Sequence, residues 1–179
     1  MTMFSFWLAA PAAAMRAALG LLFLQAAWGK VRHLQEFAAI VLNYRLLPQI
    51  LARPAASLLV VAEFVVAAAL LSGFLQSWAG FTAAALLALF TGAMAVNLLR
   101  GRTDISCGCR PAAAARATLS WGGVLATGLL VPVALLAGLG GPVADKATLF
   151  QAALAGLLLF TLHDTATRLA GTPRAGARS

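Results

Sequence analysis

Long apolar runs are the feature that most limits what this chain of 179 residues can fold into. A helix needs about 20 apolar residues to cross a bilayer core of about 30 Å. Five runs reach or approach that length, at 12–29, 55–75, 78–99, 119–139 and 147–162. With 62% hydrophobic and 10% charged residues, the chain has too little polar surface for a water-soluble globule. We predict an all-α, polytopic integral membrane helical bundle with five transmembrane helices.

The domain organisation follows from the same runs. They are separated by short connections and span one membrane-embedded domain, which we place at residues 1–170. The last nine residues, 171–179, are small, polar and basic, and we expect them to form a disordered tail. Pro132 is expected to kink the fourth helix.

The stretch between the first two apolar runs has a different pattern. Apolar residues recur there at helical spacing, while polar residues such as Gln35 and Glu36 fall on the opposite face, and Pro48 ends the pattern. This is typical of an amphipathic helix lying in the membrane interface.

The basic residues indicate an orientation. Of the 13 lysines and arginines, all but Arg16 and Lys146 fall on one predicted side, and the asymmetry remains when the arginines between the third and fourth runs are set aside. Because cytoplasmic flanks are enriched in lysine and arginine, we expect an outside N-terminus and a cytoplasmic C-terminus. We expect the protein to lie in the bacterial inner membrane. The net charge of +8 is expected to interact with the lipid bilayer and not with nucleic acid.

Both cysteines lie in the connection between the third and fourth runs, which the charge pattern places in the cytoplasm. Cys107 and Cys109 are separated only by Gly108, which relaxes the backbone limits on a tight thiol pair. Positive charge favours thiolate, the form that attacks disulfides and binds metals. The arginines near the pair are Arg100, Arg102, Arg110 and Arg116. We predict Cys107 and Cys109 as the reactive residues, with these arginines and Gly108 in support.

Three polar residues inside or beside apolar runs are further candidates. Glu63 is eight residues into the second run, where an unpaired ionised carboxylate would be costly. Lys30, at the end of the first run, is the nearest cation on the same predicted side. An ion pair that docks two helices is favoured over a proton relay or a hydrogen bond to a quinone, the one cofactor we consider. Asn97 is a candidate because it closely precedes the cysteines.

Two other classes of function stay open. The first is a non-catalytic membrane scaffold or small transporter, in which the polar residues hold helices together. The second is a metal site formed by the cysteines with His33 or His163. A structural zinc site normally has four ligands at recognisable spacing, so redox chemistry is favoured over metal binding and no metal ligands are assigned.

Several short motifs indicate a family. They are Gly29-Lys30, Tyr44-Arg-Leu-Leu-Pro48, Glu63, Asn97-Leu-Leu-Arg-Gly-Arg102, Cys107-Gly-Cys109 and Ser120-Trp121. On these motifs the chain resembles the methylamine utilisation protein MauE family, a branch of the DoxX-like redox-associated membrane proteins. The family sequence typically continues Cys-Gly-Cys-Phe-Gly, whereas here Arg110 and Pro111 follow the second cysteine.

The resemblance implies a function and a partner. It implies thiol-disulfide exchange with a thioredoxin-like protein, in maturation of the methylamine dehydrogenase light subunit. It also implies disulfide formation outside the cytoplasm, whereas the charge pattern predicts a cytoplasmic cysteine loop. The enzyme class, if there is one, would be a thiol-disulfide oxidoreductase or an accessory to one.

Overall fold

The computed structural model of the chain describes residues 3–73, 75–102, 119–140 and 146–170. Every regular element in these ranges is an α-helix, as predicted. The helices are α1 (Met3–Arg32), α2 (Leu34–Asn43), α3 (Gln49–Ser72), α4 (Gln76–Leu99), α5 (Trp121–Gly128), α6 (Leu130–Leu139) and α7 (Lys146–Ala170).

Four of the predicted transmembrane segments coincide with helices that are long and apolar enough to cross a membrane. They are Ala10–Arg32, Gln49–Ser72, Ser77–Leu99 and Trp121–Leu139. The fifth predicted segment, 147–162, lies within α7, a helix of 25 residues, and its crossing stays a prediction. The predicted tail, 171–179, lies outside the described residues.

Two breaks in the helices have local causes. The fourth span is divided into α5 and α6 at Leu129, which fits the predicted kink, because Pro132 has no N–H for the carbonyl of Gly128 four residues earlier. The turn between α3 and α4 is as short as predicted. Gly73 ends α3 in the left-handed conformation, with φ of 70°, which glycine adopts without steric cost.

Close helix contacts depend on small residues. Where α4 crosses α6, a Cβ atom on Gly80 would lie 2.4 Å from the Cα of Gly138. Where α1 meets α7, a Cβ atom on Gly156 would lie 2.5 Å from the Cβ of Ala17. Backbones approach closely only where side chains are this small, and packing contacts of this kind drive helix association in lipid.

The amphipathic helix predicted between the first two runs is α2, and its apolar face is buried in the bundle. Phe37 and Ala38 pack with Ala56 and Val60 of α3. After the end of α2, Tyr44 packs with Met94 of α4. The polar residues Gln35 and Glu36 are exposed, as the pattern predicts. The α2 segment therefore contacts α3 on one side and α4 on the other.

Arg16 is buried inside the bundle and does not act as a flanking charge. Its Nη1 atom donates to the carbonyl oxygens of Ala137, at 3.2 Å, and Gly140, at 2.9 Å. These carbonyls belong to the last turn and cap of α6, where a cation is favourable. Arg16 therefore joins α1 to the C-terminal end of α6, the end that leads to Lys146, the other basic residue counted on that side. With Arg16 set aside as a buried residue, Lys146 remains in that count and the orientation stays a prediction.

We expect Gly80→Ala to lower thermal stability, by about 1–3 kcal/mol, because the methyl group would collide with the backbone of α6. Gly92→Ala is the matched control in the same helix, since a Cβ there meets nothing within 4 Å. The control is expected to be neutral or stabilising by up to about 1 kcal/mol, through helix propensity alone. Thermal unfolding of both variants in detergent measures the difference. Equal effects of the two substitutions would contradict the proposed contact.

Candidate functional site

Three helices contribute polar or aromatic groups around Lys30, which lies near the end of α1. Its Nζ atom forms a salt bridge with Oε1 of Glu63 from α3. Phe37 of α2 and Phe90 of α4 face the same ammonium group. The ion pair favoured from the sequence is therefore present, and it joins the helices that the sequence indicated.

The surroundings of this pair are apolar. The Lys30 and Glu63 side chains are 4% and 1% exposed. The Nζ atom lies 5.0 Å from the centre of the Phe37 ring and 4.7 Å from that of the Phe90 ring, within the range of cation–π attraction. Removing two charges from water is costly, and attraction in a low-dielectric interior offsets that cost only when both partners are present. The pair thus constrains α1 and α3 to one relative position.

Two buried acceptor atoms in the bundle have no hydrogen-bond partner within the part of the chain that the structure describes. One is Oε2 of Glu63, the carboxylate oxygen that does not contact Lys30. The other is Oδ1 of Asn97, whose amide nitrogen donates to the carbonyl of Ala93 at 3.0 Å. Buried polar atoms are normally paired, so both oxygens indicate positions where a donor belongs.

The end of α4 is shaped by the Arg100-Gly101-Arg102 run. The Gly101 N–H donates to the Leu98 carbonyl at 2.9 Å, and the Arg102 N–H donates to that of Asn97 at 3.0 Å. This is a Schellman ending, in which the residue after the helix cap is left-handed, and Gly101 has φ of 73°. The glycine of the run therefore sets the direction in which the chain leaves α4.

Arg102 anchors this ending to α2. Its Nη1 atom donates to the carbonyl of Asn43, the last residue of α2, at 3.1 Å. Arg102 was predicted to activate the cysteines; the described contact is with a helix C-terminus, where a cation is favourable. Arg100, the other predicted arginine within the described residues, is exposed.

The next stretch that the structure describes begins at Leu119 and leads into α5. Ser120 caps α5 by accepting a hydrogen bond from the Gly123 N–H at 3.2 Å. The preceding Leu119 is buried with Tyr44, the residue after α2. Arg102 and Leu119, which bound residues 103–118, therefore both contact the C-terminal end of α2. We call this end of α2, Asn43 and Tyr44, the α2 corner.

The predicted thiol site itself lies outside the described residues. Cys107, Gly108, Cys109 and Arg110 all fall within 103–118. Their roles stay predictions, as does the metal alternative. Of the two histidines considered for a metal site, His33 is exposed and lies 3.4 Å from the Glu36 carboxylate through its Nδ1 atom.

Three of the side-chain contacts described above were not predicted from the sequence, those of Phe90, Arg102 and Arg16. Phe90 is one of ten phenylalanines in an apolar chain and carries no signal that separates it from lipid-facing residues. The anchoring role of Arg102 could have been suggested by the glycine before it, a typical helix-ending residue. Arg16 carried a clear signal, because it interrupts an apolar run. It was counted only as a flanking charge in the orientation argument, and an interior partner was not considered.

Comparison with known proteins gives one consistent result. The family described as methylamine utilisation protein MauE matches residues 8–141. The methylamine utilization protein MauE of Paracoccus denitrificans is 40% identical over 161 residues, covering 88% of this chain and 86% of that protein. The protein of the same name from Paracoccus versutus is 42% identical over 164 residues, covering 89% and 87%. No solved structure matches the chain.

The Lys30–Glu63 pair makes a prediction for stability. Lys30→Met or Glu63→Leu alone is expected to cost about 3–5 kcal/mol, because each leaves an uncompensated buried charge. The double variant replaces both charges with apolar side chains of similar size and is expected to unfold close to wild type. Thermal unfolding and protein abundance of the four proteins form a complete double-mutant cycle. Additive losses in the double variant would show that the two groups do not depend on each other.

Proposed function

This chain belongs to the methylamine utilisation protein MauE family, and from that membership we propose that it assists thiol-disulfide exchange in maturation of methylamine dehydrogenase. The partner that we propose is a thioredoxin-like protein. The reactive groups are the thiols of Cys107 and Cys109. The observation that supports this best is the α2 corner, because both ends of the short cysteine segment are attached to it.

The exchange transfers two electrons without a further reactant. A thiolate of the partner attacks one sulfur of the Cys107–Cys109 disulfide and forms a mixed disulfide. The second partner thiolate then breaks that mixed bond, so that the partner leaves oxidised and the two cysteines remain as a dithiol. The reverse sequence oxidises the pair. Nearby arginines, Arg110 among them, favour the thiolate form of whichever cysteine attacks.

The fixed exit from α4 supports this assignment. Gly101 and Arg102 attach the start of the segment to α2 by main-chain and guanidinium hydrogen bonds, and Leu119 attaches its end by apolar packing. The described residues on either side of the cysteine segment are therefore both held at the α2 corner.

Replacing one cysteine is expected to trap the partner. In Cys107→Ser or Cys109→Ser, the variant that keeps the attacking thiol cannot resolve the mixed disulfide, so a reductant-sensitive adduct accumulates. Non-reducing electrophoresis and mass spectrometry of the adduct identify the partner in cells growing on methylamine. The double variant is the matched control and is expected to give no adduct.

The trapping experiment also separates this proposal from a scaffold. If neither single variant gives an adduct, and the double variant supports growth on methylamine as well as wild type, the protein acts without thiol chemistry. A metal site would instead lose stoichiometric metal in the same double variant.

We propose further that the protein lies in the bacterial inner membrane with its N-terminus outside and the cysteine segment in the cytoplasm. The support is the cluster of basic residues at one end of the bundle. Arg32, Arg53 and Arg100 are exposed at helix ends on that side. Arg16 and Lys30 are buried in the bundle. When both are left out of the count, lysine and arginine are still in excess on the predicted cytoplasmic side.

Thiol labelling tests the orientation. A membrane-impermeant maleimide is expected to label Cys107 and Cys109 in lysed cells and not in intact cells. The control carries Cys107→Ser, Cys109→Ser and Ser72→Cys, because Ser72 ends α3 at the opposite end of the bundle. That control is expected to label in intact cells. Strong labelling of the native cysteines in intact cells would reverse the proposed orientation.

A further inference from the structure

Glu63 carries an acceptor atom in the interior of the bundle that the ion pair does not use. We propose that Oε2 of Glu63 is the binding point for a small neutral molecule that donates a hydroxyl hydrogen bond. The other oxygen of this carboxylate binds the Lys30 ammonium group, which the rings of Phe37 and Phe90 face. This inference is independent of the proposed thiol chemistry.

The acceptor atom determines which hydrogen-bonding group the bound molecule, called the guest from here on, must carry. Oε2 is buried and has no donor among the residues that the structure describes, while Oε1 is bound to Lys30. A carboxylate oxygen only accepts hydrogen bonds, so the group that satisfies it must donate one. Leaving such an atom unsatisfied in an apolar interior is unfavourable, and this gives the guest its binding energy.

The charge balance of the site excludes ions. Lys30 and Glu63 together are neutral, and both are almost fully buried. An added cation or anion would be an uncompensated charge among the helices, which is costly at this depth. The guest is therefore neutral.

The walls set its size and nature. Aromatic rings face the ammonium group from two helices, and Val60, one turn before Glu63, is buried and apolar. Water meets the requirement when it also contacts the Lys30 ammonium, since a buried water needs at least two polar partners. The hydroxyl of a lipid-soluble alcohol or phenol meets it equally, with an apolar body against the rings. The shared chemistry is a neutral O–H donor.

Asn97 carries the second buried acceptor without a described partner, its Oδ1 atom. It lies seven residues after Phe90, which places both on one face of α4, about 10 Å apart along the axis.

The chain offers a clean spectroscopic test, because its two glutamates are Glu36 and Glu63. Glu36 is exposed, so Glu36→Gln leaves the fold intact and makes Glu63 the single labelled side chain when glutamate carries an isotopic label at its carboxyl carbon. The protein is placed in nanodiscs of phosphatidylcholine, a lipid without hydroxyl groups. Solid-state proton–carbon correlation then reports which protons lie next to the Glu63 carboxyl carbon.

The expected spectrum contains two cross-peaks, one from the Lys30 ammonium protons and one from a water or hydroxyl proton. Mass analysis of a solvent extract from the same protein separates the two sources. Water gives the second cross-peak without a stoichiometric organic molecule, whereas an alcohol or phenol is recovered in about equimolar amount. A spectrum with the ammonium cross-peak alone would overturn the proposal.

The Lys30→Met and Glu63→Leu double variant is the second control. It keeps the fold while removing the acceptor, and any guest recovered from wild type is expected to be lost. Recovery of the same molecule in the same amount would place it elsewhere on the protein and contradict the assignment for an organic guest. Trapping of a partner at the cysteines is unaffected by either result, so the two proposals fail separately.

Discussion

The salt bridge between Lys30 and Glu63 is the interaction that most constrains how four helices of this bundle meet. Each group alone would be an uncompensated charge in an apolar interior, so α1 and α3 are restricted to the one arrangement in which the two groups meet. The aromatic contacts extend the restriction, because Phe37 of α2 and Phe90 of α4 face the same ammonium group. A single cation thereby relates four helices, in a protein where apolar contact with lipid discriminates little between alternative packings.

The same arrangement extends to the end of α4, which precedes the cysteine segment in the chain. With α2 held against α3 and α4, its last carbonyl is positioned to receive Arg102, and Tyr44 is positioned to receive Leu119. Arg102 and Leu119, the described residues on either side of 103–118, thus both contact the same end of α2.

The sequence allowed much of this to be predicted, for identifiable reasons. Apolar runs are set by the thickness of the bilayer, and Glu63 had one cation at the right end of the neighbouring run, so helices and ion pair followed. The bonds from Arg16 to α6 did not follow, because their acceptors are main-chain carbonyls that leave no trace in side-chain identity. The contact of Arg102 with α2 also did not follow, because the helix end that it binds is 59 residues earlier in the chain. Its role toward the thiols stays a prediction.

The two buried basic residues of α1 have a consequence for assembly. Arg16 finds its acceptors more than 120 residues later in the chain, and Lys30 finds its carboxylate 33 residues later. Helix α1 therefore leaves the ribosome before the helices that satisfy its polar groups. Until α3 and then α6 are inserted, α1 must keep both cations hydrated or near lipid headgroups, which their long side chains permit. A chain that is truncated before α6 therefore lacks the acceptors of Arg16, the carbonyls of Ala137 and Gly140, and leaves that cation of α1 without its interior partners.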